Sequence, residues 1–130
     1  MLQLIDFNPL IIGSVHIATK MQLEGMNLNP DMGSGPSMKM VRHLALNTLI
    51  EYNAKFRAKY GDPIICFDTG ISWRKKEFPY YKAKRKEIKA DSPLDWDFVY
   101  ECLSLLEKEM VEYLPYKCVG VDTAEADDVI

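Results

Sequence analysis

Three short runs of apolar residues recur along the chain and predict buried β-strands. They cover residues 2–7, 63–68 and 116–122, and they are rich in Ile, Val, Cys and aromatic side chains with Pro or Gly at their bounds. Continuous apolar runs of this length are typical of strands that are covered on both faces. We therefore predict three buried strands.

Two longer segments repeat apolar residues every three or four positions, which predicts amphipathic helices. The first covers residues 37–60, with Gly61 just beyond it as a helix-ending residue. The second covers residues 93–114, where Ser92 is a natural N-cap and Asp95 completes an arrangement like a capping box. Residues 20–36 have no clear period, and we interpret them as a loop.

Strands that alternate with helices predict an α/β domain in which helices flank a mainly parallel sheet. Ligands bind at the carboxyl ends of the strands in such sheets. Asp6 lies near the end of the first predicted strand, Asp68 closes the second, and acidic residues between 122 and 128 follow the third. We therefore expect these carboxylates to converge at one edge of the sheet.

Charge is strongly segregated along the 130 residues, which are enough for one modest domain. Eight of the sixteen Lys and Arg residues fall within residues 73–89, which we call the basic segment. Residues 91–130 hold eleven Asp and Glu against only Lys108 and Lys117. The net charge of −3 excludes a uniformly basic protein that coats DNA, but the basic segment can still bind a polyanion.

Other compositional features exclude several classes of site. The three cysteines are odd in number, widely spaced and set in apolar runs, so we expect buried, reduced thiols. Residues 10–18 are too short to span a bilayer and follow no cationic segment, so we expect no membrane association and a cytoplasmic protein, in the host cell if a phage encodes it. The glycines of residues 33–37 match neither a P-loop nor a dinucleotide fingerprint.

Five carboxylates are candidates for a metal site: Asp6, Asp68, Glu125, Asp127 and Asp128. They are the hard oxygen donors that Mg²⁺ or Mn²⁺ prefers, and two such ions can activate water and stabilise the oxygens in phosphodiester hydrolysis. The alternative is that these carboxylates have only local structural roles, because acidic residues suit the first turn of a helix and an Asp at the end of a strand can cap a turn. We expect Asp122 to cap a helix or to form part of a turn rather than to bind a metal ion.

Aromatic and cationic residues interleave in the basic segment, a composition suited to stacking on bases while pairing with phosphates. They are Trp73, Arg74, Lys75, Lys76, Phe78, Tyr80, Tyr81, Lys82, Lys84 and Arg85. The alternative is that the basic segment is only the solvent-exposed face of a helix. The leading hypothesis is hydrolysis of nucleic acid, and the alternative from another class is a module that binds nucleic acid without catalysis.

A set of motifs in a fixed order closely resembles the phage ribonuclease H branch of the flap endonuclease and 5′-exonuclease family. They are LIDF at 4–7, MVRHLALNT at 40–48, CFDTG at 66–70, WRKKEFPYYKAKR at 73–85, SPLDWD at 92–97 and EADDVI at 125–130. The similarity extends over nearly the whole chain. It implies a PIN-like, Rossmann-like fold with a basic helical arch over residues 70–91. A related PIN-like ribonuclease is a further alternative.

The resemblance also implies roles for residues that match the motifs. The five carboxylates match the family's first group of metal ligands, and Arg74, Lys82 and Arg85 match arch cations that engage the scissile phosphate. Tyr81 matches a position that stacks on a base, and Lys75, Lys76 and Lys84 are expected to bind nucleic acid.

The family uses Mg²⁺, which Mn²⁺ can replace, to remove RNA primers and 5′ flaps during replication. Its substrates are DNA and RNA–DNA hybrids with 5′ ends or flaps, and we expect a monomer that works with replication proteins such as a single-strand-binding protein. A second acidic motif and a helix-hairpin-helix element of the family have no counterpart in residues 1–130. We therefore expect these residues to match the N-terminal part of such a nuclease and to cleave poorly alone.

Overall fold

A parallel three-stranded sheet forms the centre of the computed structural model, which describes residues 2–25 and 35–130. The strands are β1 (Leu4–Asp6), β2 (Ile64–Phe67) and β3 (Lys117–Gly120), in the spatial order β1-β2-β3. Ile65 of β2 pairs with Ile5 on one side and with Cys118 on the other. The predicted parallel sheet of an α/β protein is confirmed.

Helices precede and follow the central strand, and three of them have 17 residues or more. In the described residues the helices are α1 (Phe7–Leu23), α2 (Met38–Tyr60), α3 (Trp73–Glu77), α4 (Arg85–Ala90), α5 (Trp96–Tyr113) and α6 (Ala126–Val129). The basic segment thus consists of two short helices, α3 and α4, joined by turns.

Helix α2 forms as the periodicity predicts. The Ser37 hydroxyl accepts a hydrogen bond from the Met40 backbone N–H at 3.1 Å, which satisfies a free donor at the start of the helix. Gly61 ends the helix at φ 80°, a backbone angle that favours glycine. Val41 and Leu49 on the predicted apolar face are fully buried.

Helix α1 is a feature that the sequence reading missed. Its buried residues recur at helical spacing, but further apolar residues between them make residues 10–18 a nearly continuous apolar run that hides this period. Its buried side includes Phe7, Ile11 and Val15, and Phe7 contacts Phe67 of β2 edge to face, with ring centroids 4.7 Å apart. The predicted loop over residues 20–36 is wrong at its start, which belongs to α1, and residues 26–34 lie outside the described residues.

Burial on both faces is confirmed for β2 and wrong for the other two strands. Ile65 and Cys66 of β2 are fully buried, whereas every residue of β3 is exposed or half-buried. Within residues 2–25 and 35–130, β1 and β3 are the edge strands of the sheet, and their side chains are less fully covered than those of the central strand β2. Cys102 is also buried, but Cys118 on β3 is half-buried, so the expectation of buried thiols holds for two of three cysteines.

Helix α5 begins later than the sequence suggests. Its N-cap is Asp95 and not Ser92, because the Asp95 carboxylate accepts hydrogen bonds from the backbone N–H groups of Asp97 and Phe98 at 3.1 and 3.2 Å. Ser92 instead accepts from the Leu94 N–H at 3.3 Å, within the preceding turn. No helix among the described residues is long and apolar enough to cross a membrane.

Candidate active site

The carboxyl ends of β1 and β2 bring two of the predicted carboxylates to one edge of the sheet. Asp6 is the last residue of β1 and pairs in register with Cys66 of β2, and Asp68 follows the end of β2 directly. Parallel strands end at the same edge, so this proximity follows from the topology.

An open cleft of about 520 Å³ lies at this edge, and both signs of charge face it. Four predicted carboxylates line the cleft: Asp6, Asp68, Glu125 and Asp127. Lys82 and Arg85 line it from the basic segment, and Trp96 and Tyr100 line it from α5. Asp128 is not among the lining residues and is bound elsewhere, as described below.

Asp6 has both a structural contact and an unfavourable electrostatic environment. Its carboxylate caps α1 by accepting a hydrogen bond from the Asn8 backbone N–H at 3.2 Å. Burial raises the pKa of Asp6 most, and the negative charges of Asp68 and Asp127 raise it further, against the effect of the cap. Asp68 and Asp127 therefore each lie close enough to Asp6 to disfavour its charged form.

Asn8 is a residue of the site that sequence reasoning missed. Its side-chain amide donates a hydrogen bond to Asp68 Oδ2 at 2.5 Å, while its backbone N–H is bound by Asp6. It therefore connects the ends of β1 and β2. Its position in the first turn of a helix that begins directly after Asp6 could have indicated this role. That position was not recognised, because α1 was not predicted.

Asp68 and Thr69 connect the end of β2 to the start of α6. Asp68 Oδ1 accepts a hydrogen bond from the Ala126 backbone N–H at 2.6 Å. The Thr69 hydroxyl donates to the Val121 carbonyl, and the Thr69 N–H donates to the Ala124 carbonyl at 3.2 Å. These contacts place Glu125 beside the strand ends, although it follows β3 by several residues.

Glu125 is bound by two side chains of the basic segment. Lys82 Nζ lies 2.8 and 2.9 Å from its two carboxylate oxygens, and the Tyr81 hydroxyl donates to it at 3.0 Å. Burial disfavours the Glu125 anion, but the hydrogen bonds from Lys82 and Tyr81 outweigh it and lower the pKa of Glu125. The same contacts raise the pKa of Lys82 against its own burial, so both groups are charged at neutral pH.

Asp128 is bound by Arg74 in the same manner. Arg74 Nη1 donates to Asp128 Oδ2 at 2.8 Å, and Arg74 Nη2 lies 2.5 Å from Oδ1, which is a two-pronged ion pair. Asp128 Oδ2 also accepts from the Glu125 backbone N–H at 3.0 Å. Asp128 therefore has the local role at the start of a helix that the alternative interpretation predicts.

Backbone geometry in the basic segment is unusual at Lys82, whose φ is 54°. This left-handed conformation costs a residue with a side chain about 1–2 kcal/mol. Such conformations persist where surrounding contacts fix them, and the two bonds to Glu125 are contacts of that kind. The remaining residues predicted to contact nucleic acid, Lys75, Lys76 and Lys84, are exposed.

Tyr81 is half-buried, and its ring has cations beside it. Arg74 and Lys82 lie 5.9 and 4.9 Å from the ring centroid, within the range of cation–π attraction. Stacking of Tyr81 on a base stays a prediction.

The donor chemistry of the carboxylates suits Mg²⁺, but their spacing in this structure does not form a metal centre. Carboxylate oxygens are the ligands that Mg²⁺ prefers. Within residues 2–25 and 35–130, no group of three or more His, Cys, Asp or Glu side chains is placed to hold a metal ion. Two of the five candidates, Glu125 and Asp128, are instead bound to Lys82 and Arg74.

Comparison with known proteins supports the motif-based resemblance. No family model matches the chain. Ribonuclease H of Enterobacteria phage T4 is 36% identical to it over 99 residues, which cover 72% of this chain and 32% of that protein. The chain thus spans about a third of the length of the relative that it matches. It is a homologue of phage ribonuclease H, as its motifs predict.

Proposed function

We propose that the chain functions in a divalent-metal-dependent 5′-nuclease with a PIN-like fold, which acts on 5′ ends and flaps of DNA and of RNA–DNA hybrids. One observation carries the proposal: four predicted carboxylates and the two cations Lys82 and Arg85 line a single open cleft. The homology to phage ribonuclease H supports the same class of reaction.

Hydrolysis of a phosphodiester breaks a P–O bond as water adds to phosphorus, and negative charge develops on the departing oxygen. Lys82 and Arg85 line the cleft and are suited to bind the phosphate oxygens and that developing charge. Asp6, Asp68 and Asp127 carry the oxygen donors that would hold Mg²⁺ or Mn²⁺, although their spacing within residues 2–25 and 35–130 does not form a metal centre. A bound ion, or the pair that the resemblance implies, would supply an acidified water and further neutralisation of charge.

Calorimetric titration with Mn²⁺ tests the metal requirement, with the Asp6→Asn/Asp68→Asn variant as the comparison. We expect the variant to bind Mn²⁺ at least tenfold more weakly than the unaltered chain, because it loses two anionic donors. Asp122→Asn is the matched control, since Asp122 is exposed and lies outside the cleft. An unaltered chain that binds nucleic acid without any metal dependence would support the alternative of a binding module without catalysis.

Cleavage is tested on a 5′-flap DNA and on an RNA–DNA hybrid of the same sequence, each labelled at the 3′ end. We expect weak, Mg²⁺-dependent cleavage from the 5′ side that the Asp6→Asn/Asp68→Asn variant lacks. Equal products from the unaltered chain and the variant would contradict the assignment of these carboxylates.

A further inference from the structure

Two aromatic side chains form one wall of the cleft at the strand ends. Trp96 and Tyr100 lie one turn apart on α5, their ring centroids are 6.1 Å apart, and both line the cleft. Trp96 is half-buried and packs against the core, whereas Tyr100 is 51% exposed. An aromatic surface that is held by the core and open to solvent is suited to stacking on a flat ligand.

A lysine of the basic segment lies against both rings. Lys89 Nζ is 4.6 Å from the ring centroid of Trp96 and 5.0 Å from that of Tyr100, within the range of cation–π attraction. The same ammonium group donates a hydrogen bond to the Tyr100 hydroxyl. An ammonium group has three donors, so this bond leaves two for another partner.

Helix α4 adds a second cation and an apolar side chain to this wall. Arg85 and Lys89 are four residues apart on α4, so they share a face, and both line the cleft. Ile88 also lines it and is 67% exposed. In the part of the chain that the structure describes, Lys82 pairs with Glu125, but neither Arg85 nor Lys89 forms an ion pair.

The cleft therefore combines an aromatic wall with cations that are available to an anion. A nucleotide has the matching parts, because its base is flat and its phosphate is negatively charged. The cleft volume of about 520 Å³ also lies within the range of roughly 300–1,000 Å³ that is usual for small-ligand sites. The structural alternative is that Lys89 only joins α4 to α5.

We propose that Trp96, Tyr100 and Lys89 form a subsite for one unpaired nucleotide of a single-stranded nucleic acid. The base stacks on the two rings, and the Lys89 ammonium and the Arg85 guanidinium bind its phosphate. The inference rests on the proposed function, because it takes nucleic acid as the substrate, and it adds a base-binding site separate from Tyr81. Among the described residues, those that line the cleft do not include Tyr81.

The experiment compares a dT decamer with an abasic decamer, which has the same sugar-phosphate backbone and no bases. Both carry a 3′ fluorescein, and fluorescence anisotropy measures their Kd in EDTA, so that no divalent cation takes part. The carboxylates of the cleft repel both backbones equally, and the ratio of the two Kd values therefore reports on the base. We expect the dT decamer to bind the unaltered chain about tenfold more tightly.

Tyr100→Leu is expected to reduce this preference to about twofold or less, because leucine keeps an apolar contact but has no aromatic face. The matched control is Tyr113→Leu, since Tyr113 is 72% exposed at the other end of α5 and lies outside the cleft. We expect the control to keep the preference of the unaltered chain. Circular dichroism confirms that each variant is folded.

Lys89→Gln tests the phosphate contact separately from the stack. We expect it to weaken binding of both decamers by a similar factor, about threefold to fivefold, because the backbone is common to them. Lys86→Gln is the matched control, since Lys86 is exposed on the same helix and lies outside the cleft. We expect the control to change either Kd by less than about twofold at about 0.1 M salt, because solvent screens exposed charges.

Tryptophan fluorescence locates the base without a change in the subsite. The chain has two tryptophans, so Trp73→Phe leaves Trp96 as the only indole. We expect the dT decamer to quench the emission of Trp96 and the abasic decamer to leave it unchanged, because only a base can stack on the ring. This measurement also decides the proposal if Tyr100→Leu is unfolded.

Equal affinity of the unaltered chain for the two decamers overturns the subsite, as does an equal loss of preference in Tyr113→Leu or equal quenching by both decamers. A Lys86→Gln effect as large as that of Lys89→Gln overturns the phosphate contact. Absence of binding to either decamer overturns the subsite together with the nucleic-acid partner of the proposed function. Base-dependent binding without cleavage of the flap substrate retains the subsite and loses the nuclease proposal, so the two failures are distinguishable.

Discussion

Lys82 and Glu125 are 43 residues apart in the chain, yet Lys82 Nζ lies within 2.9 Å of both carboxylate oxygens of Glu125. The contact joins the most basic part of the sequence to the most acidic part. A whole-chain net charge of −3 conceals this arrangement, because the opposing charges meet in three dimensions and not along the sequence.

Lys82→Ala is expected to separate the chemical step from substrate binding in a nuclease assay. If Lys82 contacts the reacting phosphate, its loss should lower the single-turnover rate about a hundredfold or more and change the substrate Kd by only a fewfold. The measurement compares single-turnover cleavage with equilibrium binding of the same flap substrate. Lys84→Ala is the control, because Lys84 is exposed, and an equal loss of rate there would indicate general charge attraction instead.

Asn8→Ala is expected to weaken the site more than the fold. The change removes the donor that holds Asp68 Oδ2, but it leaves the backbone N–H that Asp6 binds. We expect a loss of about 1 kcal/mol in the free energy of unfolding and about a tenfold weaker Mn²⁺ affinity. Chemical denaturation and calorimetry measure the two effects.

Asn47→Ala is the matched control for Asn8→Ala, because Asn47 also makes one side-chain bond, to His43 on the exposed face of α2. Equal Mn²⁺ affinity in the Asn8→Ala variant and the unaltered chain would show that Asn8 has no role in arranging Asp68.

The ion pair between Arg42 and Glu109 is expected to make stability depend on acid pH. Arg42 donates to both oxygens of Glu109, at 2.7 and 2.6 Å, and this bond lowers the pKa of Glu109. A lowered folded-state pKa means that the stabilisation is complete above the unfolded-state pKa, about 4.3, and is lost as the pH falls through the folded-state value. Glu109→Gln should therefore cost about 1 kcal/mol at pH 7 and little near pH 2.

Urea unfolding of the Glu109→Gln variant from pH 7 down to pH 2 measures this difference. Glu112→Gln is the control, because Glu112 is exposed on the same helix. A cost of Glu109→Gln that stays constant over this pH range would contradict the assigned ion pair.

The N-cap of α5 offers a test of the helix boundary. Asp95 accepts two backbone N–H groups, so Asp95→Ala is expected to cost about 1 kcal/mol in the free energy of unfolding. Ser92→Ala should cost less, since Ser92 bonds one N–H of the preceding turn at 3.3 Å. Thermal and urea unfolding of the two variants compare the costs, and the reverse order would restore Ser92 as the cap.

The sheet and helix α2 could be predicted because their signals are local. The apolar runs specified β2, and the three- and four-residue spacing together with Ser37 and Gly61 specified α2. Helix α1 was missed although its buried residues, Phe7, Ile11, Val15 and Ala18 among them, recur at helical spacing. Additional apolar residues between them make residues 10–18 a nearly continuous apolar run, which hides the period.

The candidate site divides in the same way. Asp6 and Asp68 were predicted because strand ends of a parallel sheet share an edge. The bond from Arg74 to Asp128 joins two side chains that are 54 positions apart in the sequence. Such long-range contacts follow from the folded backbone, so the sequence indicated the residue types of the site but not their partners.

Asp6 closes β1, begins α1 through its cap, and borders the cleft. A substitution of Asp6 is therefore expected to affect both the stability of α1 and the chemistry of the cleft. Asn can replace Asp as a cap far better than Ala can. A laboratory screen for folded but inactive chains should consequently recover Asn at position 6 much more often than Ala.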